Sequence, residues 1–181
     1  TPFTADDAVF SILRALDKAS QRKNQMLGIA GAKKVDALTI DVTTTQPDAV
    51  LPEKFFLIGI MSKAWAEKNN VVKPQDFNAK QETFAVRNAN GTGPFMLKSR
   101  EPDVKTHLVR FDDWWGWKDA KKFDGNVTEV IYTPITNDAT RLAALVAGNV
   151  DLINDPAPQD VPRLQQTSGV KVIEGVEQRI V

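Results

Sequence analysis

Two hydrophobic periods alternate along this chain, and that alternation narrows the possible folds more than any other feature. Near the start, Ala8, Val9, Ile12, Leu13 and Leu16 recur at helical spacing and share one face. Thr4-Ala5-Asp6-Asp7 stands just before them, a threonine with a carboxylate three residues on, which predicts a capped helix start. A polar stretch runs to Gly31. Leu38, Ile40 and Val42 then alternate with Thr39 and Asp41, the two-residue period of a strand with one buried face. The β-branched run Thr43-Thr44-Thr45 extends that strand toward Pro47. Short helices are expected over 47–57 and 61–69, the second carrying Trp65 and stopped by Asn69-Asn70. Residues 71–83 are polar and aperiodic, which predicts a surface loop and a lobe boundary.

From Val86 the pattern turns to strands. Asn90-Gly91 is a tight-turn signal, and Gly91-Thr92-Gly93-Pro94 predicts a backbone that tolerates only small residues. Phe95 and Leu97, then Thr106, Leu108 and Val109, predict two strands joined at Glu101-Pro102-Asp103. Another strand is expected over 127–135. Asn137 should cap a helix running through Arg141, Leu142, Leu145 and Val146, with Gly148 in the left-handed position that ends it. A short buried strand over Val150 to Ile153, a short helix from Pro158 to Gln166 stopped near Gly169, and a strand over Val170 to Ile173 complete the reading. The fold class is therefore α/β (mixed α+β), with no internal repeat.

Composition decides which functions drop out. The 181 residues suffice for one ordinary domain or two small lobes. The 23 Lys and Arg balance the 23 Asp and Glu, and neither half of the chain, divided at Asn90, forms a basic footprint, so no nucleic-acid partner is expected. With no cysteine and one histidine, disulfide frameworks, thiolate chemistry and a zinc site are all excluded, and neither metal nor cofactor is expected. The longest apolar stretch, Phe55 to Met61, is far too short to span a bilayer, and no signal-peptide pattern stands at the start. Beginning on Thr1 and closing on Arg179-Ile180-Val181, the sequence reads as a piece of something longer.

Three features invite a chemical reading, and each has a plainer one. His107 lies between Thr106 and Leu108 in a predicted strand, where an exposed or edge-strand imidazole is the preferred reading over a catalytic base. Asp112-Asp113 sits beside Trp114-Trp115, as acids and aromatic platforms do in sugar sites. Adjacent residues of an extended chain point to opposite sides, however, so the two carboxylates should not converge on one bond. Gly91-Thr92-Gly93 is followed by Pro94 and a strand, not by the Lys-Ser/Thr and helix of a phosphate loop. The indoles of Trp114, Trp115 and Trp117 are expected to plug a loop onto the core rather than to stack a ligand.

Four separated segments carry a family resemblance. Phe3-Thr4-Ala5-Asp6-Asp7-Ala8-Val9-Phe10-Ser11, Asn90-Gly91-Thr92-Gly93-Pro94-Phe95, Asp113-Trp114-Trp115 with its glycine-containing bend, and Gly148-Asn149-Val150-Asp151-Leu152 with the helix before it, Asn137 to Arg141, occur in that order. Together they resemble the family-five extracellular solute-binding proteins, the dipeptide, oligopeptide and nickel class of ABC-transporter receptors. Trp114 replaces the usual Tyr, and Asn149 the usual Glu.

The resemblance implies a partial periplasmic-binding-protein-like class II fold. Residues 1–85 would form most of the small lobe particular to the family, and 86–181 part of the first main ligand-binding lobe. It further implies a non-enzymatic, periplasmic or extracellular receptor, monomeric at full length. Such a receptor captures peptides or a similar small solute between two lobes and delivers it to an ABC permease. Asn154, Asp155 and Pro156, at the end of an expected strand, and Gln178 and Arg179, near the implied cleft, are the candidate ligand contacts. Competing readings are a carbohydrate-active enzyme or sugar-binding module built on Trp114 to Trp117, and a sensor relative that has lost transport.

Overall fold

The computed structural model describes residues 2–79, 82–119 and 125–175. The chain divides into two compact units, Thr1–Tyr132 and Thr133–Val181.

The first unit opens with helix α1, Ala5–Leu16. Asp7 Oδ2 accepts from the Thr4 N–H at 3.0 Å and from the Thr4 hydroxyl at 3.2 Å, so the expected carboxylate tie across the helix start is present. Strands β1 (Ile29–Lys34) and β2 (Ile40–Thr44) form an antiparallel hairpin, with Ile29 opposite Thr44 and Lys34 opposite Ile40. Ile12, Ala15, Met26 and Ile29 make the core here, packed around by Leu16, Ala32, Ile40, Val42, Leu51 and Phe55. The apolar face of α1 thus closes over the inner face of the hairpin.

Strand β1 was not expected, because Ile-Ala-Gly-Ala-Lys-Lys lacks alternation and has Ile29 as its one β-branched residue. The hairpin supplies its pairing. Leu38 corrects the reading in the other direction: it is 80% exposed and lies in the turn rather than the strand. The Asp36 carboxylate takes the N–H groups of Leu38 and Thr39, both at 2.8 Å, and folds those residues into a side-chain-capped turn.

Helices α2 (Leu51–Phe55) and α3 (Lys63–Lys68) follow. Ser62 caps α3 by accepting the Trp65 N–H, and the helix ends at the expected Asn69-Asn70 stop, with Asn70 left-handed at φ 55°. Most of the following loop lies at the surface, but Val71 is 1% exposed and anchors it.

Strands β3 (Phe95–Glu101), β4 (Lys105–Arg110) and β5 (Glu129–Tyr132) form an antiparallel sheet in that order. Asp103, at φ 60°, makes the β3–β4 turn. β5 covers only the middle of its expected range.

In the second unit, α4 spans Asp138–Val146 and α5 spans Val161–Gln166. Asn137 Oδ1 accepts the Thr140 N–H at 2.9 Å. At the far end Gly148 has φ 73°, with its N–H bonded to the Leu145 carbonyl and the Asn149 N–H to that of Ala144. These are the two bonds of a left-handed helix stop. The strands expected at Val150–Ile153 and Val170–Ile173 do not form; Leu152 is 73% and Ile173 83% exposed. Among the described residues this unit contains no strand, so neither segment has a ladder to join.

Candidate functional site

The glycine turn and the indoles come together beside the three-stranded sheet. Trp114 is buried, and its Nε1–H donates to the Thr92 carbonyl at 2.9 Å. The Phe111 N–H donates to the Pro94 carbonyl at 2.8 Å, a second tie between the same two segments. Trp117 Nε1–H donates to the Phe111 carbonyl at 2.8 Å, its ring meets Trp114 edge-on at 5.0 Å, and the Arg110 guanidinium lies 4.0 Å above it. A buried indole needs a hydrogen-bond partner; Trp114 finds it in a carbonyl of the glycine turn, and the half-buried Trp117 in the Phe111 carbonyl of its own segment. The cluster fastens the residue 91–94 turn to the end of β4, which agrees with the expected plug.

One expectation about that turn is corrected. A Cβ at Gly91 or Gly93 would meet nothing within 4 Å, and neither glycine has positive φ, so sterics do not demand small residues there. The demand falls on Gly116, where a Cβ would stand 2.2 Å from the Trp114 ring.

Asp112 and Asp113 suggested sugar chemistry, with Trp114 and Trp115 beside them, and Trp115 is 66% exposed. Asp112 pairs with Arg110, Nε to Oδ1 at 3.2 Å, and both acids are exposed. His107 lies on β4 with Nε2 2.5 Å from Glu129 Oε1 on β5, and Lys98 Nζ reaches the same oxygen from β3 at 3.4 Å. This three-strand bridge holds Glu129 below the ordinary carboxylate value, through the His107 hydrogen bond first, then the His107 charge and Lys98. At the start of α1, burial works to raise the Asp7 carboxyl. Hydrogen bonds from the Lys63 N–H and from Thr4 outweigh it, and the group lies below its usual value. Among the described residues no three His, Cys, Asp or Glu side chains gather as a metal site.

Of the candidate ligand contacts, Asn154, Asp155 and Pro156 occupy the loop between α4 and α5. Asn154 and Asp155 are exposed, and Asp155 adopts φ 49°. Gln178 and Arg179 lie outside the described residues. Sequence reasoning missed Arg141. Its Nη1 donates to the Ile135 carbonyl at 2.9 Å, and its Nη2 to Asp138 Oδ1 at 2.8 Å and to the Asp155 carbonyl at 3.2 Å. The signal available was an arginine four residues after the helix cap, just where an incoming and an outgoing chain can both be reached. A cavity of this unit, about 360 Å³, is lined by residues that include Leu142, Ala143, Val146, Ala147, Asp160 and Arg163. Asn154, Asp155 and Pro156 do not line it.

Comparison with known proteins places this architecture. Over residues 1–181 the sequence matches the family described as bacterial extracellular solute-binding proteins, family 5 Middle. A dipeptide-binding protein of Pseudomonas aeruginosa is 26% identical over 186 residues, covering 94% of this chain and 32% of that protein. Heme-binding protein A of Haemophilus influenzae is 28% identical over 187 residues, covering 95% and 32%. Among solved structures, the ABC transporter-associated periplasmic binding protein DppA of Helicobacter pylori, in complex with the peptide STSA, superposes with a TM-score of 0.65. It is 28% identical and covers 93% of this chain and 33% of its own. The class so defined is one of binding proteins rather than enzymes.

This chain belongs to the family-5 bacterial extracellular solute-binding proteins, as the four sequence segments implied. It spans about a third of the length of the relatives it matches, so its fold is a partial one. The family works on the periplasmic or extracellular side of the membrane. Among the described residues no helix is long and apolar enough to cross a bilayer.

Proposed function

We propose that this chain is part of the substrate-binding component of an ABC importer, which captures peptides or a similar small solute in an interlobe cleft and hands it, chemically unchanged, to the membrane permease. The observation that carries this is the likeness to a peptide-bound receptor, at 28% identity and TM-score 0.65, over 93% of the chain. In this reading residues 1–85 make most of the small lobe and 86–181 part of the first main lobe. The full-length protein is monomeric. Asn154, Asp155 and Pro156, with Gln178 and Arg179, face the solute. Closure is driven by the solute's higher affinity for the closed form, and main-chain pairing to a peptide tolerates varied side chains.

The indole cluster supports this reading over a sugar site. Trp114 is buried against Trp115 and Trp117, Arg110 lies over the Trp117 ring, and both of their N–H groups go to carbonyls, so these two indoles are occupied within the protein; of the three, only Trp115 is mostly exposed, at 66%.

Native mass spectrometry of the full-length protein, purified without denaturation, tests the proposal. The expected result is a non-covalent adduct in the mass range of small peptides, released intact on unfolding. Turnover of any bound molecule by the full-length protein overturns it.

A further inference from the structure

Arg141 joins three segments that the chain could otherwise leave independent. Ile135 lies on the stretch entering α4, Asp138 in the first turn of α4, and Asp155 on the loop that leaves it. The Arg141 side chain is only 20% exposed; its bond to the Ile135 carbonyl is partly buried, while those to Asp138 and Asp155 lie at the surface. Two of its three acceptors are backbone carbonyls, so the guanidinium holds the course of the chain rather than a particular side chain. The fork suits this work: its nitrogens diverge in one plane and reach two directions at once, which a lysine ammonium cannot reproduce.

The third acceptor is the informative one. Asp155 holds a left-handed backbone, at φ 49°, directly before Pro156. Non-glycine residues keep such a conformation when their surroundings over-determine it. A following proline favours extended backbone at the residue before it, so Pro156 does not account for this conformation, whereas the Arg141 bond holds the carbonyl of Asp155 itself.

From this geometry we infer that Arg141 is a positioning residue for the solute loop. By anchoring the Asp155 carbonyl it sets the backbone of Asn154, Asp155 and Pro156 in the one conformation that meets the solute. The inference rests on the proposal that this loop contacts solute, and it adds the residue that shapes it. Arg141 touches no solute and acts through the loop.

The test uses the full-length protein as wild type, Arg141→Lys, Arg141→Met and Asn154→Ala. Backbone amide exchange at 153–157 reads the loop. Retention of a defined mixture of di- and tripeptides, quantified by mass spectrometry, reads binding. The expected result is faster loop exchange and about tenfold weaker retention in Arg141→Met, on the scale of one charge-assisted hydrogen bond, with the global unfolding midpoint little changed. Arg141→Lys should recover part of both, because it restores charge but not the fork. Unchanged loop exchange in Arg141→Met overturns the inference and leaves the proposed function standing. Faster exchange with undiminished retention, in both Arg141→Met and Asn154→Ala, removes the loop from the solute site and the inference with it. Wild-type protein that retains none of the mixture overturns the peptide reading, and a loop positioned for peptide falls with it.

Discussion

Gly116 and Trp114 show how a single hydrogen atom can decide a local fold. The Trp114 ring lies where a Gly116 Cβ would be, 2.2 Å from it at two carbons. Because the indole is wedged between Thr92, Trp115 and Trp117, it cannot slide aside without giving up a hydrogen bond or a ring contact. Gly116→Ala should therefore destabilise the first unit by about 1–3 kcal/mol, the usual cost of overpacking. Urea unfolding followed by tryptophan fluorescence checks it. Glu129 gives a pH signature. Its carboxyl is held below the ordinary 4.5, so the folded state binds protons less readily than the unfolded one. The stability this contributes is fully present above about pH 4.5, the unfolded value, and is lost as pH falls through the lower folded value. Glu129→Gln should remove that part of the acid dependence. Denaturant midpoints of the two proteins should then converge as pH falls below about 4.5, the wild type losing its advantage.

Among the elements, α1 was legible from Thr4 to Leu16, because cap and apolar face argued for the same helix. Its tertiary ties were not legible. Ser11 accepts the Met61 N–H at 2.9 Å and donates to the Asp7 carbonyl at 2.7 Å, while Asp7 Oδ1 accepts the Lys63 N–H at 2.8 Å. The Asp and Ser of the family motif thus staple α1 to the start of α3, some fifty residues away. No local pattern announces a bond of that span. Helix α4 was likewise read correctly from Asn137 to Gly148. Its cap supplies a prediction: Asn137→Ala should cost about 1 kcal/mol, seen as a lower denaturant midpoint and faster amide exchange at Thr140. The strands read at 150–153 and 170–173 failed for the opposite reason. A run such as Val-Asp-Leu-Ile has strand propensity, but a strand exists only when another pairs with it.

For the whole molecule, the share of its relatives that the chain covers matters most. A receptor that traps solute between two lobes draws its affinity from both walls, and this chain spans about a third of the relatives it matches. Residues 1–181 alone should therefore bind peptides much more weakly than the full-length protein. Isothermal titration of both with the same di- and tripeptide mixture checks this. Tight, stoichiometric binding by the isolated chain would contradict the two-walled site.

By itself the sequence determined the fold class, the helix boundaries set by Thr4, Asn137 and Gly148, the β3–β4 hairpin and the family. Each of these is written in residues close together in the chain or in motifs of fixed order. The tertiary structure alone decided that Ile29–Lys34 is a strand, that Val150–Ile153 is not, and that Gly116 rather than Gly91 or Gly93 is sterically required. It alone joined Arg141 to Asp155. Those outcomes depend on which distant groups arrive alongside, and hydrogen bonding and steric exclusion act through space without regard to sequence separation.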